Sequence, residues 1–201
     1  MSTIKYMLKP DTISWDDVQE CQRKAHVINN KKNLHMTCQD MTGNELREMI
    51  GDGFCFVAVD GDKVVGTTSV KLLEQHRWWN KGGKVAYYCH SAVLPEYRGT
   101  DVYIDMTKLM TDFVKDSGVK IHQFNTAVQN KSVIRMNERN GYKRVQFSAT
   151  GKGANYYSIV MCKWDEGCPY SDRFINFMFV LSKIIVKAIW RPGYKFRFWF
   201  N

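Results

Sequence analysis

The residues of this chain best suited to bind an anion lie in the stretch VLPEYRGTDVY, residues 93 to 103. The stretch is typical of a strand end, a turn through Arg98 and Gly99, and the start of a helix. The first N–H groups of a helix have no helical partner and lie at the positive end of its dipole, so they bind anions. Gly99 permits close approach, Thr100 offers a hydroxyl, and Arg98 is a planar charged donor. This turn is a candidate pyrophosphate site.

Two common phosphate-binding motifs do not describe this turn. A P-loop needs Gly-Lys-Ser/Thr after its glycines, and a dinucleotide fold needs GxGxxG. The glycine-rich stretch TGKGANYY, residues 150 to 157, also lacks the P-loop pattern and follows a predicted strand. We interpret it as a hairpin turn between two strands.

The hydrophobic pattern predicts the order β-α-α-β-β-β-α-β-α-β-β, which mixes hairpins with crossovers and indicates an α/β sheet of mixed direction. The first helix begins after Ser14 as N-cap, with Asp16 and Asp17 in its first turn. Residues 29 to 42 have no clear period and are interpreted as loop or a loose second helix. A further helix spans residues 101 to 117 and stops at Gly118.

Two stretches are predicted to be loops with possible binding residues. EQHRWWNKGG, residues 74 to 83, reads as a loop in which Trp78 and Trp79 are either buried anchors or an exposed lid. The stretch that follows it, KVAYYCHSAVLP (residues 84 to 95), is predicted to be a long strand. His26, His35 and Asp40 lie in or just before the stretch of residues 29 to 42 and are possible substrate contacts, although a surface loop is the simpler interpretation.

Length and composition predict one folded domain over residues 1 to about 165, since the 201 residues are 44% hydrophobic and 13% aromatic. Six cysteines are scattered without CxxC pairs or zinc-ligand spacing, which predicts reduced thiols, a cytosolic protein and no metal. The chain has no run of 18 uninterrupted apolar residues, so a membrane-spanning helix is not supported.

VLPEYRGTDVY, followed by a helix, a strand and NKSVIRMNERNGYKRV (residues 130 to 145), resembles the GCN5-related N-acetyltransferase (GNAT) family. The resemblance implies a GNAT-type mixed central β-sheet flanked by helices, with an acyl-CoA-binding domain over residues 1–165. It implies that the strand end at Val93 pairs with the pantetheine arm and that Asn130 contacts acetyl-CoA. It also implies that the pyrophosphate is held at Arg98, Gly99, Thr100, Asp101, Val102 and Tyr103.

The chain departs from the family pattern at two of these positions. Asp101 and Tyr103 stand where the family usually has small residues. A screened carboxylate beside a pyrophosphate repels it by about 1 kcal/mol. Asp101 avoids this cost if it turns outward at the helix start, whereas Tyr103 either crowds or stacks on the ligand.

The resemblance also locates the acid that would protonate a leaving thiolate. In the family this acid is often a tyrosine four or five residues before the Gly-aromatic pair, a place that Asn137 occupies here. An amide does not give up a proton usefully, so Tyr142 or Tyr156 takes the role, or the thiolate leaves unaided.

Cys89 stands at the family's usual position for the base, and the neighbouring His90 has the more suitable ordinary pKa. Strand alternation puts Cys89 on the same face as Val93 and His90 on the opposite face, unless a bulge intervenes. Packed, non-catalytic roles for both residues, and a water chain as base, stay open.

The C-terminal residues 166–201 form an apolar and basic tail, predicted to be helical from about 171 to 190. From residue 169 onward it has six Lys/Arg residues and one acidic residue, with many aromatics. This composition favours an anionic membrane surface, with packing on its own domain or in a homodimer as alternatives. It disfavours nucleic acid. The location predicted is cytoplasmic, with the tail at the inner membrane surface.

Together these features predict an acetyl-CoA-dependent N-acetyltransferase. It moves an acetyl group directly to a primary amine of a small molecule or peptide, without a metal. One alternative is a catalytically weak GNAT-like interaction module. The other is a membrane-surface acyltransferase that uses longer acyl-CoA.

Overall fold

A computed structural model describes residues 3–30, 34–149 and 156–189. The chain divides into two compact units, Met1–His122 and Gln123–Asn201. The elements of the first unit are β1 (Lys5–Leu8), α1 (Trp15–Asn30), α2 (Gly43–Ile50), β2 (Phe54–Asp60), β3 (Lys63–Arg77), β4 (Asn80–Val93) and α3 (Val102–Val114). The later elements are β5 (Ile121–Ala127), which crosses the division, α4 (Lys131–Arg139), β6 (Lys143–Ala149), β7 (Tyr157–Trp164) and α5 (Asp172–Ile189). The predicted order of elements and the α/β class are confirmed.

The first unit contains four strands in the order β1-β2-β3-β4, and each neighbouring pair is antiparallel. The predicted loop over residues 74–83 is wrong, because β3 runs to Arg77 and pairs there with Asn80. Trp78 and Trp79 form the turn of this long hairpin, and Trp79 is only 3% exposed. The side chain of Asn80 donates to the carbonyls of Gln75 and Gly83. A buried indole therefore anchors the turn.

Local capping fixes the starts of both N-terminal helices. Ser14 accepts from the Asp17 N–H at 3.1 Å, while the Asp17 carboxylate accepts from the Ser14 N–H at 3.2 Å. Thr42 and Glu45 make the equivalent capping box at α2. For the stretch interpreted as loop or helix, α1 runs to Asn30, and the described residues from 34 onward include a 3₁₀ turn, Thr37–Gln39.

A glycine on β3 sets how closely α3 approaches the sheet. Val102 and Met106 of α3 are buried in a core with Val57, Val65 and other residues of β2 and β3. A Cβ added to Gly66 would lie 2.7 Å from Met106 Cε and 3.1 Å from Val102 Cγ1. The missing side chain thus lets the first turns of α3 lie directly against β3.

In the second unit the strand order is β5-β7-β6, with β6 and β7 antiparallel. Helix α5 packs on β6, where the Phe147 N–H donates to Ser182 Oγ at 2.9 Å and the Phe147 and Phe179 rings meet. Lys143 pairs with Asp172 at the start of the helix. Most of the predicted turn TGKGANYY lies outside the described residues, and the predicted boundary at residue 165 stays a prediction. No helix in the described ranges is long and apolar enough to cross a membrane.

Candidate active site

The turn between β4 and α3 requires glycine. The Leu94 N–H donates to the Val65 carbonyl where β4 ends, and the Tyr97 hydroxyl donates to Asp60 at 2.6 Å. Gly99 then has φ +81°, a left-handed conformation that favours glycine. A Cβ on Gly99 would meet no protein atom within 4 Å. The outer surface of the turn is therefore open to a ligand.

The start of α3 exposes backbone N–H groups beside Gly99. Thr100 Oγ1 donates to the Tyr97 carbonyl at 2.6 Å and accepts weakly from the Val102 N–H at 3.4 Å. Asp101 is the N-cap residue, but its exposed side chain makes no capping hydrogen bond. The Asp105 N–H bonds the Asp101 carbonyl, so the N–H groups between them precede the first helical bond. This geometry fits an anion such as a pyrophosphate.

Tyr103 is partly buried and packs against the hydrophobic core of the first unit. Burial raises the pKa of its hydroxyl. The ring is thus part of the packing that holds α3, and Asp101 lies at the surface. In the described structure, neither Asp101 nor Tyr103 fills the surface next to Gly99.

Arg98 binds protein carbonyls. Its Nε donates to the Val93 carbonyl at 3.4 Å, and its terminal nitrogen donates to the Ala25 carbonyl. The side chain therefore joins α1 to the end of β4. Its predicted role as a phosphate donor and the predicted pantetheine contact at Val93 stay predictions.

Strand β4 contains a bulge at His90. Thr67 pairs with Ala92 and Ser69 with Cys89, so β4 has one residue more than β3 in this interval. His90 has φ +52° and is the non-glycine residue with positive φ among those that the structure describes. The simple alternation predicted along β4 is interrupted here, because the extra residue shifts the register of the side chains.

Helix α1 supports the bulge from one side. Gln22, which is fully buried, donates through Nε2 to the His90 carbonyl at 3.2 Å. One turn later, His26 Nδ1 lies 3.1 Å from the Asn29 side-chain nitrogen. We did not predict Gln22 from the sequence, although its four-residue spacing from His26 places both on one face of the helix.

Desolvation keeps the imidazoles of His26 and His90 neutral. Desolvation lowers the pKa of His90 to about 4, and the positive charge of Lys71 adds to the effect. The pKa of His26 is lowered to about 4 by burial first, then by Arg98 and His90. Burial raises the pKa of the Cys89 thiol to about 12. At neutral pH both imidazoles are therefore neutral and weakly basic, and Cys89 stays a thiol.

Other polar groups of the first unit are engaged elsewhere. The buried Tyr88 hydroxyl lies 2.5 Å from His122 Nδ1. His35 and Asp40, both predicted acceptor contacts, pair with each other.

A cleft of about 420 Å³ lies between α1 and the β2–β3 turn, but its lining includes neither the bulge nor the glycine turn. No group of three or more His, Cys, Asp and Glu side chains in the described parts of the chain is arranged to hold a metal.

The remaining predicted residues lie in the second unit. Asn130 is the N-cap residue of α4, and its side chain donates to Thr126 Oγ1 at 3.2 Å. Asn137 is buried, and its amide donates to the Val133 carbonyl at 2.9 Å. The Tyr142 ring packs edge-on against Phe124. Tyr156 is buried just before β7. These contacts hold α4 and the start of β6 in place.

An open helix-start anion site, with the neutral imidazoles of His90 on β4 and His26 on α1, fits an enzyme whose donor carries phosphate. The model of the acetyltransferase (GNAT) family matches residues 15–142. The chain therefore belongs to the acetyltransferase (GNAT) family, whose members use acetyl-CoA. The predicted family and its fold class, a mixed sheet flanked by helices, are confirmed.

Known proteins of this family resemble the chain in sequence and fold. N-alpha-acetyltransferase 30 of Schizosaccharomyces pombe is 31% identical over 91 residues, which are 45% of this chain and 58% of that protein. The matched part thus spans little more than half of that relative. The Escherichia coli ribosomal-protein-S18-alanine N-acetyltransferase superposes with a TM-score of 0.61 at 12% identity, covering 84% of this chain and 96% of the other.

Arabidopsis thaliana NAA60, solved in complex with a bisubstrate analogue, gives a TM-score of 0.59 at 14% identity, with coverages of 81% and 99%. At identities of 12% and 14%, these two solved structures show that the chain shares their fold.

The desolvated imidazole of the half-buried His90 predicts a pH dependence of stability. His90 has a folded-state pKa of about 4, whereas an unfolded histidine titrates near 6.5. Above about pH 6.5 both states are neutral. As the pH falls from there towards 4, protons bind the unfolded chain preferentially and the free energy of unfolding decreases. We expect His90→Asn, which tolerates positive φ, to lose less stability between about pH 7.5 and pH 5 than the unchanged protein in urea denaturation.

His76→Asn is the matched control, because it replaces an exposed histidine on β3. This control is expected to keep the full loss of stability. An equal loss in His90→Asn and in the unchanged protein would contradict the burial of a neutral imidazole at position 90.

Proposed function

We propose that this chain transfers an acetyl group from acetyl-CoA directly to the α-amino group at the N-terminus of a peptide or protein. The observation that carries the proposal is the open glycine turn at the start of α3, which follows the bulged end of β4 on one continuous segment. The segment supplies an anion site at one end and a proton acceptor at the other.

The donor end consists of backbone groups. The N–H groups from Gly99 to Tyr103 would hold the pyrophosphate, with the helix dipole adding to their attraction. Acetyl-CoA supplies an acyl group activated as a thioester, whose thiol has a pKa near 8.5 and leaves readily. The exposed position of Asp101 keeps its carboxylate at the surface, where solvent screens it.

The proton-accepting end is His90. An amine that becomes an amide must give up a proton. Its nitrogen becomes acidic once it has bonded the acyl carbon, and at that stage the neutral, weakly basic imidazole would take the proton directly or through one water molecule. The hydrogen bond from Gln22 to the His90 carbonyl fixes the bulge and so orients the ring. The raised pKa of the Cys89 thiol, about 12, favours His90 over a Cys89 thiolate as the base.

Similarity to known enzymes supports a peptide α-amine as the acceptor. The relative in sequence is named an N-alpha-acetyltransferase. The fold neighbours include an acetyltransferase for an alanine of ribosomal protein S18 and NAA60 in complex with a bisubstrate analogue. The structural similarity by itself supports the fold, so the acceptor rests chiefly on the sequence relation.

Replacing the glycine of the turn tests the donor site. Gly99→Trp would place a large side chain on the surface that the pyrophosphate needs, so we expect at least a hundredfold loss of acetyl-CoA affinity by calorimetric titration, about 3 kcal/mol. Gly118→Trp is the matched control. Gly118 also has positive φ, +73°, and no protein atom within 4 Å of an added Cβ. Equal affinities in the two folded variants would contradict the proposed donor site.

Replacing the bulged histidine tests proton transfer. Asparagine tolerates the positive φ at this position, so His90→Asn should retain acetyl-CoA binding. We expect kcat/KM with a peptide acceptor to fall by roughly a hundredfold or more, the usual contribution of a general base. His76→Asn should keep full activity. Unchanged turnover in a folded His90→Asn protein would place the proton acceptor elsewhere.

A further inference from the structure

Helix α5 has an apolar face that the second unit does not cover. Its inner face, which includes Ile175, Phe179 and Ser182, packs on β6. Its outer face leaves large apolar side chains between 38% and 62% exposed: Phe174, Phe177, Val180, Leu181, Ile184 and Ile185. So many exposed apolar side chains on one helix mark an interaction surface.

These side chains form one continuous stripe. At 100° per residue they occupy an arc roughly 140° wide, opposite the residues that pack on β6. Lys183 and Lys187 lie one turn apart at one edge of this arc, and both are exposed. Arg173 is also exposed, near the start of the helix. The surface is therefore apolar with a cationic border.

Charge selects the chemistry of the partner. The acidic residue of α5, Asp172, already pairs with Lys143 of β6. Residues 190–201 continue the composition beyond α5, with no acidic residue, three basic residues and six aromatic ones. Anionic headgroups complement such a surface. Lysine side chains extend to the headgroups while their stems stay apolar, and aromatic rings favour the membrane interface.

A second copy of this chain complements the surface less well. The outer face of a second α5 offers no carboxylate to pair with Lys183, Lys187 or Arg173, because Asp172 already pairs with Lys143. We propose that the outer face of α5 binds the surface of an anionic phospholipid membrane, with the helix lying in the headgroup layer. This membrane contact is independent of the acetyl-transfer reaction.

Vesicle sedimentation with the full chain tests this inference. The probes are vesicles of phosphatidylcholine alone and of phosphatidylcholine mixed with phosphatidylserine. We expect binding to the mixed vesicles that weakens as salt increases. Phe177→Ser combined with Ile184→Ser should weaken binding by about tenfold or more. Lys183→Glu combined with Lys187→Glu should remove the preference for phosphatidylserine.

The control pair is Leu8→Ser with Met49→Ser, because these apolar side chains are also exposed, at 45% and 41%, but lie in the first unit. Vesicle binding should not change in this control, and thermal melting identifies any variant that fails to fold. Absence of binding by the folded chain, or equal binding by the α5 and control variants, overturns the proposal. A dimer that Phe177→Ser with Ile184→Ser converts to a monomer, without vesicle binding, overturns it in favour of a second copy.

Discussion

The site depends on the buried hydrogen bond from Gln22 Nε2 to the His90 carbonyl. The left-handed backbone at His90 interrupts the ladder between β3 and β4, and a buried carbonyl without a partner is costly. Gln22 on α1 donates the hydrogen bond to this carbonyl and so fixes the helix against the bulge. A second bond, from Arg98 to the Ala25 carbonyl, fixes the same helix to the turn after β4. The segment from bulge to turn is held at both ends.

Two glycines then set what this segment can do. Gly66 lets α3 approach β3 closely, and so brings the start of the helix to the end of β4. Gly99 makes the left-handed turn that leaves the first N–H groups of α3 open. Burial keeps His90 neutral at the other end. In the proposed reaction, backbone groups would bind the anionic donor and the His90 side chain would accept the proton.

Local signals made most of the fold predictable from the sequence. The Ser14 cap, the Asp-Gly hairpin of β2 and β3, and the stop at Gly118 depend on neighbouring residues alone. The β3–β4 hairpin was missed over residues 74–83 because this polar stretch has no two-residue hydrophobic period, although Arg77 and Asn80 pair only three residues apart. The resemblance located the glycine turn, but the partners of Arg98 and His90 lie on α1, far away in sequence. Such non-local contacts leave no pattern near the residues themselves.

The most direct test of the proposed acetyl transfer is to incubate the full chain with acetyl-CoA and a synthetic peptide that carries both a free α-amine and a lysine. Tandem mass spectrometry then locates any added acetyl group. The account predicts one acetyl group on the α-amine, and none on a matched peptide whose N-terminus is already blocked. Acetylation of the lysine alone, or no acetylation by folded protein that binds acetyl-CoA across a panel of N-terminal residues, would contradict it.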